Sequence, residues 1–321
     1  MVDIRKCAII GCGNVGATTA FALIQSELLS EILLIDIDKK RAQGEASDLE
    51  HSLPFLSPMT IRAADYSELG ECALIIITAG ASQRAGQTRV DLVSQNVRIF
   101  ESIVSQIVKY NSEAILLVVT NPVDVLTYVT LKLSGFPKER VIGSGTVLDT
   151  ARLKQLMGNH LSVDSRNVHT FIIGEHGDSE LAVFSSANIS GIDIDTYCSA
   201  SSKNHPAQCS LDTFHNIYDD VKNSAYKIIE AKGSTYYAIA MATKRIATAI
   251  VRDENTILPV STLLTGEYGL RDVCLGIPCV VGRGGVSNVL QIPLNKEEQT
   301  QLSESAQKIQ GIIDELYTPI L

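Results

Sequence analysis

Short apolar runs alternate with longer stretches of helical spacing through the first half of this chain. The runs are CAIIG (7 to 11), ILLIDI (32 to 37), ALIIITAG (73 to 80), AILLVVTNP (114 to 122) and VIGSG (141 to 145). Between the third and fourth runs, apolar residues recur in steps of four and three from Val93 to Ile107, which predicts a helix over about residues 90 to 110. Because strands that alternate with helices form parallel sheets, the pattern predicts a doubly wound α/β domain.

The segment GCGNVG at residues 11 to 16 fits the pattern GxGxxG directly after the first apolar run. In this pattern the first glycine permits a tight turn, the second admits a pyrophosphate close to the backbone, and the third lets a helix pack on a strand. Asp36 ends the next strand 20 residues after Gly16, where its carboxylate can accept hydrogen bonds from both ribose hydroxyls. The pattern predicts a site for NAD rather than NADP, because a 2′-phosphate would meet the negative charge of Asp36. We expect the pyrophosphate at the N-terminus of the helix that begins near Asn14.

The pattern of strand-like and helical segments changes in the second half of the sequence. Strand-like segments at 168–177, 180–189 and 273–285 are mixed with helical stretches, and apolar residues at helical spacing from Leu302 to Leu316 predict a C-terminal helix. We therefore predict an NAD-binding Rossmann domain over residues 1–148 and an α+β catalytic domain with antiparallel strands over residues 149–321.

Composition argues against several classes of protein. The chain has 27 basic and 36 acidic residues and a formal net charge of −9, which disfavours a nucleic-acid surface and a polybasic membrane patch. Its apolar runs are shorter than the roughly 20 residues of a membrane span, and no signal peptide is recognisable at the N-terminus. The seven cysteines show no CxxC spacing, so neither a disulfide framework nor a zinc site is predicted. We expect a cytoplasmic protein without a metal.

Three further features carry chemistry suited to a bound nicotinamide: Arg89, LDTAR at 148 to 152 and GEHGDSE at 174 to 180. Hydride transfer from a secondary alcohol requires a base for the hydroxyl proton, and His176 is the candidate, because a histidine titrates near neutrality. Asp149, if it lies beside His176, can accept a hydrogen bond from one ring nitrogen and stabilise the imidazolium. Arg152 lies on the same helical face as Asp149 and can bind a carboxylate with two hydrogen bonds.

Together these motifs resemble those of the L-lactate and malate dehydrogenases, over about residues 8 to 316. The matching features are GCGNVG, Asp36, TAG followed by Arg89, TNPVDVLTY at 120 to 128, LDTAR and GEHGDSE. The resemblance implies an NAD-dependent oxidoreductase that acts on a small 2-hydroxy acid. It also implies a homotetramer, although a dimer stays open because the chain lacks the N-terminal arm of the animal lactate enzymes.

The resemblance assigns roles to individual residues. His176 would donate and accept the proton, Asp149 would orient His176, and Arg152 would bind the substrate carboxylate. Arg89 would polarise the reacting C–O bond from a loop that closes over the substrate, and Asn121 would lie near the reacting oxygen and the nicotinamide. The implied cofactor-binding residues are Gly11, Gly13, Asn14, Val15, Gly16, Asp36, Thr78, Ala79, Gly80 and Asn121.

Two positions distinguish substrates within the family. Malate members carry an arginine at the third residue after TAG; here that position is Gln83, with Arg84 displaced toward solvent. Thr235, in KGSTYY at 232 to 237, matches the lactate members, whereas malate members usually carry alanine. Family members that act on 2-hydroxy acids with longer carbon chains usually have an apolar residue in place of Gln83. The resemblance therefore favours the lactate branch, which reduces pyruvate with NADH.

A regulatory site is also implied. Many bacterial lactate members bind fructose 1,6-bisphosphate between subunits through an arginine and a histidine, and the corresponding positions here are Lys154 and His169. Lysine keeps the positive charge but cannot make a bidentate phosphate contact. We therefore predict weak or absent activation by the sugar bisphosphate.

Three alternatives remain at this stage. The chain could be a malate or another L-2-hydroxyacid dehydrogenase, or a protein that binds NAD(H) without catalysis. It could also be a metal-assisted hydrolase with Glu175, His176 and Asp178 as ligands, although adjacent residues on one strand point to opposite faces and form a poor cage.

Overall fold

The computed structural model describes residues 2–81, 89–201 and 211–317. Its strands are β1 (Asp3–Ile10), β2 (Glu31–Ile35), β3 (Thr60–Ala63), β4 (Cys72–Ile77), β5 (Ile115–Val118), β6 (Val141–Gly143), β7 (Val168–His169), β8 (Ile172–Gly174), β9 (Glu180–Ala182), β10 (Asn188–Ile189), β11 (Ile192–Asp193), β12 (Thr256–Thr265), β13 (Arg271–Gly282) and β14 (Gly285–Val289). Its α-helices are α1 (Asn14–Ile24), α2 (Lys39–Glu50), α3 (Arg89–Tyr110), α4 (Val123–Ser134), α5 (Val147–Leu161), α6 (Ile194–Ser201), α7 (Leu211–Lys232), α8 (Tyr237–Val251) and α9 (Lys296–Tyr317).

Within the described residues, the main sheet contains eleven strands and runs through both halves of the chain. Its order is β3-β2-β1-β4-β5-β6-β12-β13-β8-β9, with β14 paired to β13, and a separate three-stranded sheet has the order β11-β10-β7. The first six strands are parallel, and the pairs from β6 to β9 are antiparallel. Strand β4, CALIII, is buried along its whole length, as expected for a parallel sheet covered on both faces. The predicted fold class is confirmed.

The order of the parallel strands reverses beside β1. The chain first builds outward through β2 and β3 and then returns to add β4 on the other side of β1. Gly11, directly after β1, has φ +100°, and a Cβ there would lie 2.5 Å from the backbone nitrogen of Ala79. A Cβ on Gly16 would lie 1.9 Å from the carbonyl oxygen of Gly11. Both positions therefore require glycine, and the close backbone approaches that they permit lie at the reversal point, where ligands bind in folds of this kind.

The two halves share one sheet, because Ser261 of β12 pairs with Gly143 of β6. One hydrophobic core cluster likewise contains residues from both halves, for example Ile75 of β4 and Ile277 of β13. The predicted division at residue 148 falls in the first turn of α5, and it stays a prediction.

Several elements follow the sequence patterns closely. The helix predicted over residues 90 to 110 is α3, and the C-terminal helix is α9. The segments predicted at 168–177 and 180–189 each contain two short strands instead of one long strand. The sequence patterns did not predict β3 or β12.

The cysteines differ from the prediction in one respect. Five of them, Cys7, Cys12, Cys72, Cys274 and Cys279, are free and buried. Cys198 is disulfide-bonded, although the sequence predicted no disulfide framework, since spacing along the sequence does not reveal pairs that folding creates. Cys209 lies outside the described residues. Within the described ranges, none of the helices has the length and apolar character that crossing a membrane requires.

Candidate active site

An aspartate and a histidine that are distant in sequence form the centre of the site. Asp149 lies in the first turn of α5, and His176 lies in the loop between β8 and β9. The His176 Nδ1 atom is 2.5 Å from Asp149 Oδ2. Because a carboxylate can only accept, Nδ1 carries its hydrogen toward Asp149, which leaves Nε2 as the nitrogen that can gain or lose a proton.

The second oxygen of Asp149 is bound by an arginine one helical turn away. Arg152 Nη1 donates to Asp149 Oδ1 at 2.9 Å, and the Asp149 side chain is only 2% exposed. Burial raises the pKa of Asp149, but the charges of His176 and Arg152 outweigh it and hold this pKa below its usual value. Burial lowers the pKa of His176, but the Asp149 charge and hydrogen bond outweigh it and raise this pKa to about 9. The imidazole therefore holds its proton at neutral pH.

A second aspartate holds the backbone of the histidine loop. The His176 backbone N–H donates to Asp124 Oδ2 at 2.7 Å, and the Ser261 hydroxyl donates to Asp124 Oδ1 at 2.6 Å. Asp124 is almost completely buried in the first turn of α4, and burial raises its pKa to about 6. The sequence analysis gave Asp124 no role; its place within TNPVDVLTY was the only signal.

The three ligands of the hydrolase alternative, Glu175, His176 and Asp178, do not form a cluster that could hold a metal ion. The Glu175 carboxylate is bound by Lys308 Nζ at 2.7 Å and by Ser179, and Asp178 accepts a hydrogen bond from Tyr226. In the described part of the chain, the group whose ligand atoms lie within 4.8 Å of one another consists of Asp149, His176 and Glu180. Glu180 is a further residue of the site to which the sequence analysis gave no role.

A groove of about 870 Å³ lies at the reversal point of the sheet. Six predicted cofactor residues line it: Gly11, Gly13, Asp36, Thr78, Ala79 and Gly80. A Cβ on Gly13 would meet nothing within 4 Å, so space is open above the first turn of α1. The N-cap residue is Gly13, and among the described residues the turn has no side-chain cap, which leaves backbone N–H groups for an anion. These residues fit the diphosphate and ribose of NAD.

Asp36 is held in place by the backbone around it. Its two carboxylate oxygens accept hydrogen bonds from the N–H groups of Cys12 at 2.6 Å and Asp38 at 2.9 Å. The sequence analysis missed other residues that line the groove, among them Ile37, Arg41, Tyr66 and Arg98. Ile37 is fully exposed, and its position directly after Asp36 was the only signal for it.

The remaining cofactor residues lie around the same turn. Asn14 and Val15 begin α1, and the Asn14 amide donates to the hydroxyl of Ser234 at 3.1 Å. This contact brings the loop that carries Thr235 to the glycine-rich turn. The exposed Asn121 precedes a cis proline, and its carbonyl oxygen accepts a hydrogen bond from Asn96 at 3.0 Å.

Three predicted residues lie at or beyond the limit of the described chain. Gln83 and Arg84 are outside the described residues. Arg89 is the first residue of α3, and only its backbone position is described. Their predicted roles stay predictions.

The two predicted regulatory residues line one cavity of about 810 Å³, together with Arg245 and Glu254. Arg245 Nη1 donates to Glu254 Oε2 at 2.5 Å, so a carboxylate partly neutralises this cation. Burial lowers the pKa of Lys154. The net positive charge that faces an anion in this cavity is therefore small.

Two family models together match almost the whole chain. Residues 5–143 match the NAD binding domain of lactate/malate dehydrogenase, and residues 146–318 match the alpha/beta C-terminal domain of the same family.

Curated relatives and solved structures agree with these matches. L-lactate dehydrogenase 1 of Clostridium acetobutylicum is 52% identical over 312 residues, which covers 97% of this chain and 98% of the relative. L-lactate dehydrogenase of Acetivibrio thermocellus is 54% identical over 314 residues, with 98% of each chain covered. The structure of a lactate dehydrogenase from a Medee basin deep-sea metagenome library superposes with a TM-score of 0.94 at 41% identity, covering 98% of this chain and 99% of that one. The minor L-lactate dehydrogenase of Enterococcus mundtii superposes with a TM-score of 0.92 at 37% identity and the same coverage.

Proposed function

This chain belongs to the lactate/malate dehydrogenase family, and from that premise we propose that it is an L-lactate dehydrogenase that reduces pyruvate reversibly to L-lactate with NADH. The enzyme is an NAD-dependent oxidoreductase. The observation that carries the proposal is the contact of 2.5 Å between His176 and Asp149, with Arg152 bound to the same carboxylate. This arrangement combines a proton donor with a cation for the substrate carboxylate.

The proton is transferred by the outward nitrogen of the imidazole. NADH, when bound, supplies the hydride. His176 Nε2 gives its proton to the substrate oxygen, and the ring that remains keeps its Nδ1–H bond to Asp149. Asp149 thus fixes the tautomer and stabilises the charged form without itself taking the proton. In the reverse direction the same nitrogen accepts the proton of the lactate hydroxyl.

Arg152 orients the substrate by binding the substrate carboxylate. One guanidinium nitrogen donates to Asp149, and a guanidinium has five N–H donors, so others remain for a substrate carboxylate. A 2-oxo acid held in this way has its reacting carbonyl near the imidazole. Arg89 and Asn121 complete the proposed substrate contacts.

Pyruvate is the substrate that the sequence favours. Gln83 and Thr235 match the lactate branch of the family, and the two curated relatives above carry the name L-lactate dehydrogenase. A second carboxylate on the substrate would find no arginine at position 83.

A substrate comparison tests the proposal directly. We expect NADH oxidation by pyruvate with a kcat/KM at least about a hundredfold above that for oxaloacetate. Burying the second carboxylate of oxaloacetate without a countercharge costs about 3 to 4 kcal/mol, which corresponds to roughly a several-hundredfold difference in kcat/KM. Longer 2-oxo acids should be intermediate or poor. The measurement is the loss of NADH absorbance with each substrate, and faster turnover of oxaloacetate than of pyruvate would contradict the assignment.

Activation by fructose 1,6-bisphosphate should be weak. Lys154 is a single point charge, and the nearby Arg245 is already paired with Glu254. We expect the apparent KM for pyruvate to change less than about tenfold when the sugar bisphosphate is added, whereas Lys154→Arg should increase the response, since arginine can bind a phosphate with two hydrogen bonds. A tenfold or larger decrease in the KM of the parent enzyme would show that the prediction is wrong.

The proposal includes a homotetramer in the cytoplasm, with residues 1–148 as the cofactor domain and 149–321 as the catalytic domain. Support for an assembly comes from apolar side chains on the packed helices α1 and α8, because Phe21 and Met241 are at least half exposed. A cytoplasmic location agrees with the intracellular supply of NADH and pyruvate. Sedimentation at several concentrations measures the oligomeric state.

A further inference from the structure

A second buried carboxylate faces the Asp149 and His176 pair. Glu180 is the first residue of β9 and is 6% exposed. Its ligand atom lies within 4.8 Å of those of Asp149 and His176. Its Oε1 atom is buried without a hydrogen-bond partner in the described part of the chain. A buried carboxylate with an oxygen that lacks a hydrogen-bond partner is costly when ionised, so this position calls for an explanation.

The other charges around Glu180 come from three elements. Asp149 of α5 disfavours its ionised form, whereas His176 of the β8–β9 loop, Lys222 of α7 and Arg152 of α5 favour it. The Tyr218 hydroxyl of α7 donates to the backbone carbonyl of Glu180 and does not engage its carboxylate. Helix α9 packs against β9. Two of its charged side chains form hydrogen bonds with other residues, Lys308 with Glu175 and Glu298 with Ser185.

We propose that Glu180 is a positioning residue that sets how strongly His176 holds its proton. The inference rests on the proposed proton transfer by His176 and deepens it. Asp149 provides a constant negative charge on one side of the imidazole, and Glu180 provides a charge that appears only when its own proton leaves. The three side chains therefore titrate as one unit.

The physical basis is mutual electrostatic coupling. Burial and then repulsion by Asp149 raise the pKa of Glu180 to about 8, so the group is neutral at neutral pH. As the pH rises and Glu180 ionises, its negative charge stabilises the imidazolium of His176. The protonated ring, which is the form that reduces pyruvate, thereby persists to higher pH. The device extends the reductive reaction into alkaline solution without changing it near neutrality.

Glu180→Gln tests this role, because glutamine has the same shape as the protonated acid and never ionises. At pH 6.5 to 7 we expect kcat/KM for pyruvate within about threefold of the parent enzyme. The parent profile should fall as the pH passes about 9, where His176 loses its proton. In the variant we expect about a tenfold lower proton affinity of His176, so the midpoint of the fall should move down by about one pH unit. Lactate oxidation should shift its rising limb in the same direction.

Controls separate this effect from a packing role. Glu71→Gln makes the same change at an exposed residue paired with Lys6, and its profile should match that of the parent. Glu180→Asp retains the carboxylate on a shorter side chain, so its midpoint should lie between that of Glu180→Gln and that of the parent. All profiles are measured with EDTA present, so that a contaminating metal at the cluster does not contribute. A midpoint in folded Glu180→Gln identical to that of the parent overturns the proposal, and if Glu180→Gln fails to fold, Glu180→Ala takes its place as the variant that cannot ionise.

A readout without turnover distinguishes failure of this inference from failure of the proposed function. Diethyl pyrocarbonate modifies unprotonated histidine, so the pH dependence of its reaction with the protein reports the pKa of His176 after the signal of a His176→Asn variant is subtracted. The Glu180→Gln variant should react with a lower midpoint, by about one pH unit. An unchanged midpoint overturns the role of Glu180 even in an active enzyme. A shifted midpoint in a protein that does not reduce pyruvate supports the coupling and rejects the assigned substrate.

Discussion

Replacement of His176 by asparagine is expected to lower turnover of pyruvate by several orders of magnitude while NADH binding stays nearly unchanged. Asparagine can form a hydrogen bond to Asp149, but it cannot deliver a proton at Nε2. General acid catalysis alone contributes roughly a hundredfold to ten-thousandfold, and the loss of the positive imidazolium beside buried Asp149 leaves Arg152 as the cation that pairs with this carboxylate. The residues that line the cofactor groove do not include His176. Steady-state kinetics measure turnover, and NADH fluorescence measures binding.

A matched control is available in the same chain. His51 follows α2 and is exposed, so His51→Asn makes the same chemical change away from the site and should leave turnover within about twofold. Turnover of His176→Asn within tenfold of the parent would reject His176 as the proton donor. A loss of NADH binding equal to the loss of turnover would instead indicate a general disruption of the fold.

Substitution of Gln83 by arginine is expected to change the preference between pyruvate and oxaloacetate by more than about a hundredfold toward oxaloacetate. An arginine would pair with the second carboxylate of oxaloacetate. It would also leave its own charge unpaired against the methyl group of pyruvate, so both substrates are affected in opposite directions. Gln83 lies outside the described residues, and the prediction rests on its position three residues after TAG. The ratio of the two kcat/KM values is the measured quantity.

The neighbouring arginine provides the control for register. Arg84→Ala should change the same ratio by less than about tenfold, since Arg84 is predicted to point toward solvent. If both substitutions had equal effects, the loop would be in a different register. The main sequence argument for pyruvate would then be lost.

The fold was predictable where one short segment determines the structure. A Cβ on Gly11 or Gly16 would collide with backbone atoms, so the identity of these two glycines follows from local geometry. Strand β4 is buried along its whole length, and its unbroken apolar run predicts this. Strand β12 was not predicted, although it lies inside the sheet, and its Pro259, which removes a backbone donor, is a local signal against a central strand. There the pairing with β6 and β13 outweighs the local signal.

The site was predictable in part for a similar reason. Asp149 and Arg152 lie one turn apart on one helix, so helical spacing alone indicates that they are neighbours. Asp124 holds the backbone of a residue 52 positions later, and its contact depends on how α4 packs against the second half of the chain. Glu180 lies in the motif GEHGDSE, yet the orientation of its side chain toward Asp149 appears only after β9 joins the sheet. Contacts of this kind have no signature in spacing.

Strand β6 has consequences for the order in which a newly synthesised chain can fold. Its outer edge is covered by β12, and the paired residues Gly143 and Ser261 are 261 − 143 = 118 positions apart. At about 5 to 20 residues per second, a ribosome needs roughly 6 to 24 seconds to synthesise that interval, during which the edge has no intramolecular cover. An uncovered edge can pair with another chain, so the β6 edge is open to misassembly during this interval. The arrival of Ser261 ends it and, in the same step, provides the hydroxyl that binds Asp124 beneath the histidine loop.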